Sequence, residues 1–318
     1  MITARLPAEL RAALEELAAG YGLGELGRAA AALSEMYRAG RARPLGRPVE
    51  AAAYALTRMP ATYGAVAAAW RAVGGPVKTV LDLGAGTGAA AWAAAERWPG
   101  CEVTLVEANP VMRGVGEALG SPGARWRSGD FRNLAGLGGH DVVSFGYSLG
   151  ELGEREALET VERAWGAAGR ALVVVEPGTP AASRFVLKVR ERLLALGARV
   201  AGPCPHGGVC PLAAPDWCHF AVRVERSRLH RRLKGGELGY EDEKFSYVAA
   251  VREKAGAGWA RILRHPWQEK GAVRLELCTA EGLRTRRVTR SEKSAFRAAR
   301  KASWGEEWCE GEDDEKAD

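Results

Sequence analysis

Between Val77 and Glu176, short apolar runs alternate with segments of helical spacing, and this alternation restricts the fold more than any other feature. The runs Thr79–Leu83, Glu102–Glu107, Ala124–Ser128, Asp141–Phe145 and Ala171–Glu176 read as strands. Ala89–Trp98, Pro110–Leu119 and Glu154–Trp165 read as the helices between them. Strands joined through helices by short links run parallel and carry helices on both faces. A doubly wound, Rossmann-like α/β sheet is therefore predicted, with ligands at the carboxyl ends of its strands.

The flanks have other patterns. Residues 6–73 read as helices: Leu6, Leu10, Leu14 and Leu17 share one face behind the first-turn residue Pro7. A second helix covers about 25–39, and a third starts at Glu50 and is interrupted or restarted at Arg58-Met59-Pro60-Ala61-Thr62-Tyr63. These helices are expected to cover one edge of the sheet. Beyond Gly202, a cysteine-bearing loop precedes the basic segment Arg223–Lys234 and the polar stretch Tyr240–Tyr247. Strand-like pieces at Trp259–Arg264, Val273–Cys278 and Arg284–Thr289 suggest a small antiparallel, barrel-like unit, followed by a basic helix near 291–302. The predicted organisation is a helical region (1–75), an α/β domain (76–200), a cysteine and basic module (201–305) and a disordered acidic tail (306–318).

With 47% apolar residues among 318, the chain can bury a sizeable core, yet no apolar run approaches the roughly 18 residues of a membrane span. Glu15 and Glu16 on the first helical pattern do not suit a secretory or transit peptide. A cytoplasmic protein, monomeric when free and without membrane contact, is expected; there, clustered thiols favour metal over disulfides. The net charge of +6 is unevenly distributed: residues 219–301 hold 21 basic against 10 acidic side chains, and the rest of the chain is near balance or acidic. The basic stretch is the candidate surface for a polyanion.

The turn after the first strand reads Asp82-Leu83-Gly84-Ala85-Gly86-Thr87-Gly88. Its glycines let backbone approach a ligand and set a helix N-terminus beside it. Glu107 closes the second strand, where a carboxylate can accept both ribose hydroxyls, and Asp130 follows the third, where an acid can meet an adenine amino group. Gly84, Gly86 and Ala89 also satisfy the dinucleotide fingerprint, which keeps a nicotinamide enzyme in view. Asp82, the alternate glycines, Glu107 and Asp130 together resemble the S-adenosylmethionine-dependent methyltransferase fold. That resemblance implies Asp82, Gly84, Gly86, Gly88, Glu107 and Asp130 as cofactor-binding residues. The segment Asp141–Leu152 has neither an Asn-Pro-Pro-aromatic signature nor a cysteine nucleophile. Glu151 reads better as a capping or solvent-facing acid than as a base, so no catalytic residue is assigned.

Four cysteines form the second candidate site. Cys204, Cys210 and Cys218 lie in one loop broken by proline and glycine, and Cys278 follows, giving C-x5-C-x7-C-x59-C. A backbone punctuated in this way runs as neither helix nor strand and can turn several thiolates toward one point. Zinc and iron–sulfur both accept four thiolates, and His206, His219 and His230 could complete a mixed zinc site. Spacing does not separate the two metals. Cys101 and Cys309 read as bystanders.

Around this site the basic residues Arg223, Arg226, Arg228, Arg231, Arg232, Lys234, Lys244, Arg286, Arg287 and Lys301 form a candidate RNA-binding set. Arginine forks suit phosphates, and Phe220, Tyr240, Phe245, Tyr247, Trp259 and Trp267 offer stacking faces for unpaired bases.

The blocks Pro203-Cys204-Pro205-His206, Cys210-Pro211, Asp216-Trp217-Cys218-His219-Phe220, Arg223-Val224-Glu225-Arg226 and Tyr240–Tyr247 resemble the methyltransferase-like proteins of the mitochondrial small ribosomal subunit and their bacterial relatives. Tyr54, Arg58–Tyr63, Ala299-Arg300-Lys301 and Trp304-Gly305 extend the resemblance over about residues 50–305. It implies an assembly factor with a methyltransferase fold that docks on small-subunit ribosomal RNA and holds a 4Fe-4S cluster on Cys204, Cys210, Cys218 and Cys278, zinc being the alternative. S-adenosylmethionine is a possible second cofactor. An active ribosomal RNA methyltransferase with a structural metal site is the other function considered. A bacterial cytoplasmic member is expected.

Overall fold

The computed structural model describes residues 2–40, 43–133, 135–253 and 259–309. A short strand β1 (Ile2–Ala4) leads into helices α1 (Ala8–Ala19), α2 (Leu23–Arg38), α3 (Pro48–Thr57) and α4 (Met59–Trp70). The alternating region follows as β2 (Thr79–Leu83), α5 (Ala89–Arg97), β3 (Glu102–Glu107), α6 (Pro110–Ala118), β4 (Ala124–Ser128), β5 (His140–Gly146), α7 (Glu154–Ala167), β6 (Ala168–Pro177) and α8 (Pro180–Ala195). Then come β7 (Arg199–Gly202), β8 (Phe220–Glu225), α9 (Arg228–Lys234) and β9 (Tyr240–Val251). The last part holds β10 (Ala260–Ile262), β11 (Trp267–Glu269), β12 (Ala272–Thr279), β13 (Gly282–Thr289), α10 (Lys293–Lys301) and β14 (Glu307–Trp308). No helix among the described residues is long and apolar enough to cross a membrane.

The main sheet has nine strands in the order β1-β8-β9-β6-β5-β2-β3-β4, with β7 also paired to β9. Strands β2 to β6 are mutually parallel, as the sequence predicts, and β9 runs antiparallel to β6. Alternate residues of each strand supply two cores, because side chains leave a strand on opposite faces. Val80, Val103, Val142 and Val173 pack under the N-terminal helices, α5 and α6. Leu81, Leu83, Val143, Phe145 and Val174 pack under α7 and α8. Tyr63 and Trp70 of α4 are fully buried, each contributing roughly 2–3 kcal/mol of apolar transfer.

Strands β7 and β8 both pair antiparallel with β9, Gly202 opposite Ala249 and Phe220 opposite Phe245. They form one interrupted strand beside β9, broken where residues 203–219 leave the sheet opposite residues 246–248. The cysteine loop is this excursion. Its return is fixed by Ser183 and Ser246, whose hydroxyls both donate to the Cys218 carbonyl at 2.8 Å.

Three expectations are corrected. The boundary at residue 200 cuts through the sheet, because β8 and β9 belong to it and β1 from the N-terminus pairs with β8. Their inward residues Phe220, Val222, Val224, Phe245 and Val248 are buried in the same cores as the parallel strands. The C-terminal unit is an open five-stranded sheet rather than a barrel: β12 has β13 on one side and β10 and β11 on the other, with β14 on β10. The tail does not begin at 306, since Glu307–Trp308 pairs with β10 and Trp308 is buried in the small core with Ile262, Leu275 and Val288. The rest of the predicted tail, residues 310–318, lies outside the described residues.

Candidate functional site

The glycine loop sits at the carboxyl end of β2. Gly84, Gly86 and Gly88 all have positive φ, at 78°, 57° and 85°. The position of Gly84 excludes a larger residue twice over, because a Cβ there would lie 2.4 Å from the Ser148 Cβ. At Gly86 the nearest atoms to a Cβ would be Met112 and Tyr54, at 3.5 and 4.0 Å, so conformation rather than space selects glycine. The loop is tied across the sheet by Glu107, whose two oxygens accept the Gly86 and Asn109 N–H groups at 2.8 and 2.7 Å. Burial raises the Glu107 pKa, and these backbone donors oppose the rise. Asp82 is buried beside Ser144 in the β2–β5 register, and its Oδ1 has no hydrogen-bond partner. Burial pushes its pKa up to about 7. Asp130 is held in an ion pair with the Arg132 guanidinium, which lowers its pKa and also reaches Glu156.

A group of acids and tyrosines that the sequence does not single out completes this end of the sheet. Tyr147, directly after β5, is the one non-glycine residue with positive φ among those described (62°), and its hydroxyl donates to Glu243 Oε1 at 2.8 Å. Glu176, at the end of β6, is buried, accepts from the Gly150 N–H at 3.3 Å, and is raised to about 7 by burial. Glu151 and Glu243 are raised by burial as well. Glu151 keeps a solvent-exposed side chain, in line with the solvent-facing reading. Glu243 escapes sequence reading because it comes from a distant strand, and only the β6–β9 pairing brings it near.

The four predicted cysteines lie in one region, near enough to influence one another electrostatically. Cys218 is pushed well up in pKa by burial and then by the neighbouring Cys204, Cys210 and Cys278. Cys278 on β12 is raised to about 12 by burial and by Cys204 and Cys210, and its Sγ lies 3.7 Å from His206 Nε2. Burial also raises Cys204, with Arg190 opposing. All six cysteines are free thiols. Among the described residues, no three His, Cys, Asp or Glu side chains share one point at single-ion spacing. His219 and His230 do not join the sulfurs: His219 stacks on Trp217 at 4.7 Å, and His230 lies 3.5 Å from Glu241.

The basic set divides. Arg223 makes two hydrogen bonds to Asp242 at 2.7 and 2.9 Å and lies over the Tyr240 ring. Arg226 and Lys234 both bind Glu241, Arg286 pairs with Glu292, and Arg287 pairs with Glu269. Arg231 reaches the Glu237 carbonyl. Arg228, Arg232, Lys244 and Lys301 are exposed, as is Trp267. Of the other aromatic candidates, Phe220, Phe245 and Tyr247 pack on one another in the core and present no face to a base.

Comparisons place the chain among known proteins. Human ribosome assembly protein METTL17, mitochondrial, is 29% identical over 256 residues, covering 72% of this chain and 55% of that protein. The Rsm22-cox11 tandem protein 2, mitochondrial, of Schizosaccharomyces pombe is 24% identical over 284 residues, covering 71% and 38%. The chain thus spans about half or less of the length of these relatives. Magnesium protoporphyrin IX methyltransferase from Synechocystis PCC 6803, solved with bound S-adenosylmethionine, is similar at 16% identity and a TM-score of 0.41, over 67% of this chain and 86% of that one. The family described as mitochondrial small ribosomal subunit Rsm22 matches residues 48–309, a span that includes the glycine loop, all four clustered cysteines and the small sheet, and the chain belongs to that family.

Proposed function

We propose that this protein is a ribosome assembly factor that binds small-subunit ribosomal RNA and carries a 4Fe-4S cluster on Cys204, Cys210, Cys218 and Cys278. The observation that carries the reading is the unbroken family match over residues 48–309, which joins the α/β domain and the cysteine site in one unit. Clustered thiols suit a metal group, because the raised pKa values of Cys204, Cys218 and Cys278 make them poor thiolates unless a cation compensates them. A tetrahedral zinc would draw its sulfurs to about 3.8 Å of one another. A 4Fe-4S cluster instead spreads its four thiolates over four metal atoms, each taking one. RNA would meet Arg228, Arg232, Lys244 and Lys301, which are exposed and have no carboxylate partner among the described residues, with Trp267 as a stacking face.

Adenosylmethionine fits the glycine loop as a second ligand. Asp82, with its orphaned Oδ1, the backbone of Gly84, Gly86 and Gly88, and the Glu107 carboxylate would hold it, while Asp130 would have to leave Arg132. When bound, the cofactor supplies an electrophilic methyl group. The orphaned Asp82 oxygen favours a second reading, an active RNA methyltransferase in which Tyr147 and the neighbouring acids face the acceptor.

Two measurements separate these readings. Anaerobic purification should give near-equal iron and sulfide, lost together with small-subunit co-sedimentation in Cys278→Ser; wild-type co-sedimentation by that variant would refute a structural role for the cluster in docking. Mapping of small-subunit RNA methylation in a deletion strain should show a missing mark if the methyltransferase reading holds. An unchanged map would remove it.

A further inference from the structure

Two buried arginines flank the cysteines. Arg261 on β10 stands opposite Cys278 in the β10–β12 register, donates Nε to the Pro203 carbonyl at 2.9 Å and Nη1 to the Gly305 carbonyl at 2.7 Å, and has Glu307 at 3.4 Å. Arg190 arrives from α8 on the opposite side. It is 3% exposed, and its Nη2 donates to the carbonyls of His206 at 2.7 Å and Gly208 at 2.8 Å. Its Nε has no hydrogen-bond partner, and among the described residues no carboxylate pairs with it.

A guanidinium keeps its charge inside a protein. Isolating that charge from water without an anion costs several kcal/mol, so an unpaired buried arginine points to a negative partner. The loop it grips carries the thiols: its carbonyl partners His206 and Gly208 each lie two residues from a cysteine, Cys204 and Cys210. Four thiolates around a divalent ion, or around an iron–sulfur core, leave a net negative charge in a buried place. Two carbonyls would satisfy a neutral donor equally well; they do not explain a full charge.

We propose that Arg190 is the buried counter-cation of the four-cysteine site, offsetting the negative charge of its metal-bound thiolates while its two carbonyl bonds hold the 204–210 segment against α8. The proposal rests on the metal reading above. Arg190 is a positioning and charge-compensating residue, not a ligand.

The test uses the full chain purified anaerobically as wild type, Arg190→Gln and Arg190→Lys, with iron, sulfide and zinc measured per chain. Circular dichroism and a thermal melt establish that each variant is folded. Arg190→Gln should lose most of its metal, and any cluster it retains should show a more negative reduction potential, because the more anionic reduced state loses its cation. Arg190→Lys, which keeps the charge but cannot fork across both carbonyls, should recover most of the content and the potential. If the metal is zinc, the rate of its loss to a chelator replaces the potential. Wild-type content and potential in Arg190→Gln would overturn the proposal. So would a lysine variant as defective as the glutamine one, since Arg190 would then be only a brace for the loop. A wild-type protein holding neither iron nor zinc would instead overturn the metal reading, and this proposal with it.

Discussion

Asp82 is buried one residue before the end of β2, and the core around it disfavours its charge. Its pKa of about 7 means that the folded protein keeps a proton which the unfolded chain releases near pH 4. Between those values the unfolded state binds fewer protons, so stability contributed by this site falls as pH rises, by up to about 4 kcal/mol for a shift of this size. Below pH 4 the cost is absent, and above 7 it is constant. Asp82→Asn removes it. Thermal melts of the ligand-free proteins should therefore show the asparagine variant gaining on wild type from pH 4 to 7, with the gap level beyond; a gap independent of pH would place the charge elsewhere. The adjacent glycines divide by cause. Gly86→Ala meets only left-handed strain and should cost about 1–2 kcal/mol in chemical denaturation. Gly84→Ala adds a 2.4 Å clash with Ser148 and should cost clearly more. Equal losses would mean that Ser148 can move aside.

The central parallel strands β2, β5 and β6 are legible in the sequence because burial on both faces makes each a largely apolar run, whereas β4, Ala124–Ser128 at the end of the sheet, is mostly exposed. Strand β9 is not, because its first half, Tyr240–Lys244, pairs only near the sheet edge and carries Glu241, Asp242, Glu243 and Lys244. The basic segment 223–234 is split between β8 and α9 at Ser227, whose hydroxyl accepts the His230 N–H at 3.0 Å and starts α9. Arg190 had a visible signal: it interrupts the apolar stripe Val186, Val189, Leu193 of α8, where a charge has no ordinary reason to sit. The division of the basic set leads to two opposite expectations. Glu241 anchors α9 through Arg226 and Lys234, with all three side chains largely buried. Glu241→Gln should cost about 2–4 kcal/mol and raise hydrogen exchange in α9, since it leaves buried cations unpaired. Replacing Arg228, Arg232, Lys244 and Lys301 by glutamine should leave the melting temperature unchanged. It should weaken RNA binding and flatten its salt dependence by about 0.7 per lost phosphate contact on single strands. A stability loss in that quadruple variant, with an unaltered salt slope, would remove those residues from the RNA face.

At the scale of the whole molecule, the cysteine site is where the two sheets meet. Three thiols lie in the loop that interrupts the β7–β8 strand of the large sheet, and the fourth stands on β12 of the small one. The C-x5-C-x7-C-x59-C spacing records this indirectly: the long interval is the length of chain needed to finish β8, α9 and β9 and return through β10. What the sequence hides is that the loop interrupts one strand of the large sheet, because β7 is only four residues long and its continuation, β8, lies beyond the loop. The remaining contacts across the junction are few and specific, with Arg261 bonded to Pro203, Trp304 edge-on to His219, and Gly305 against Phe220. The small sheet has its own core of Ile262, Val273, Leu275, Leu277 and Val288, so it need not unfold when the junction loosens. A metal bound across the junction acts as a crosslink closing the chain from Cys204 to Cys278, worth about 4 kcal/mol on the entropic account for a loop of that length. Chelation or Cys278→Ser should therefore raise hydrogen exchange in β10 to β14 while leaving β2, β5 and β6 protected, and the single melt of the loaded protein should split into two. If both sheets lose protection together, the junction is rigid without metal, and the four cysteines serve something other than the joining of the two sheets.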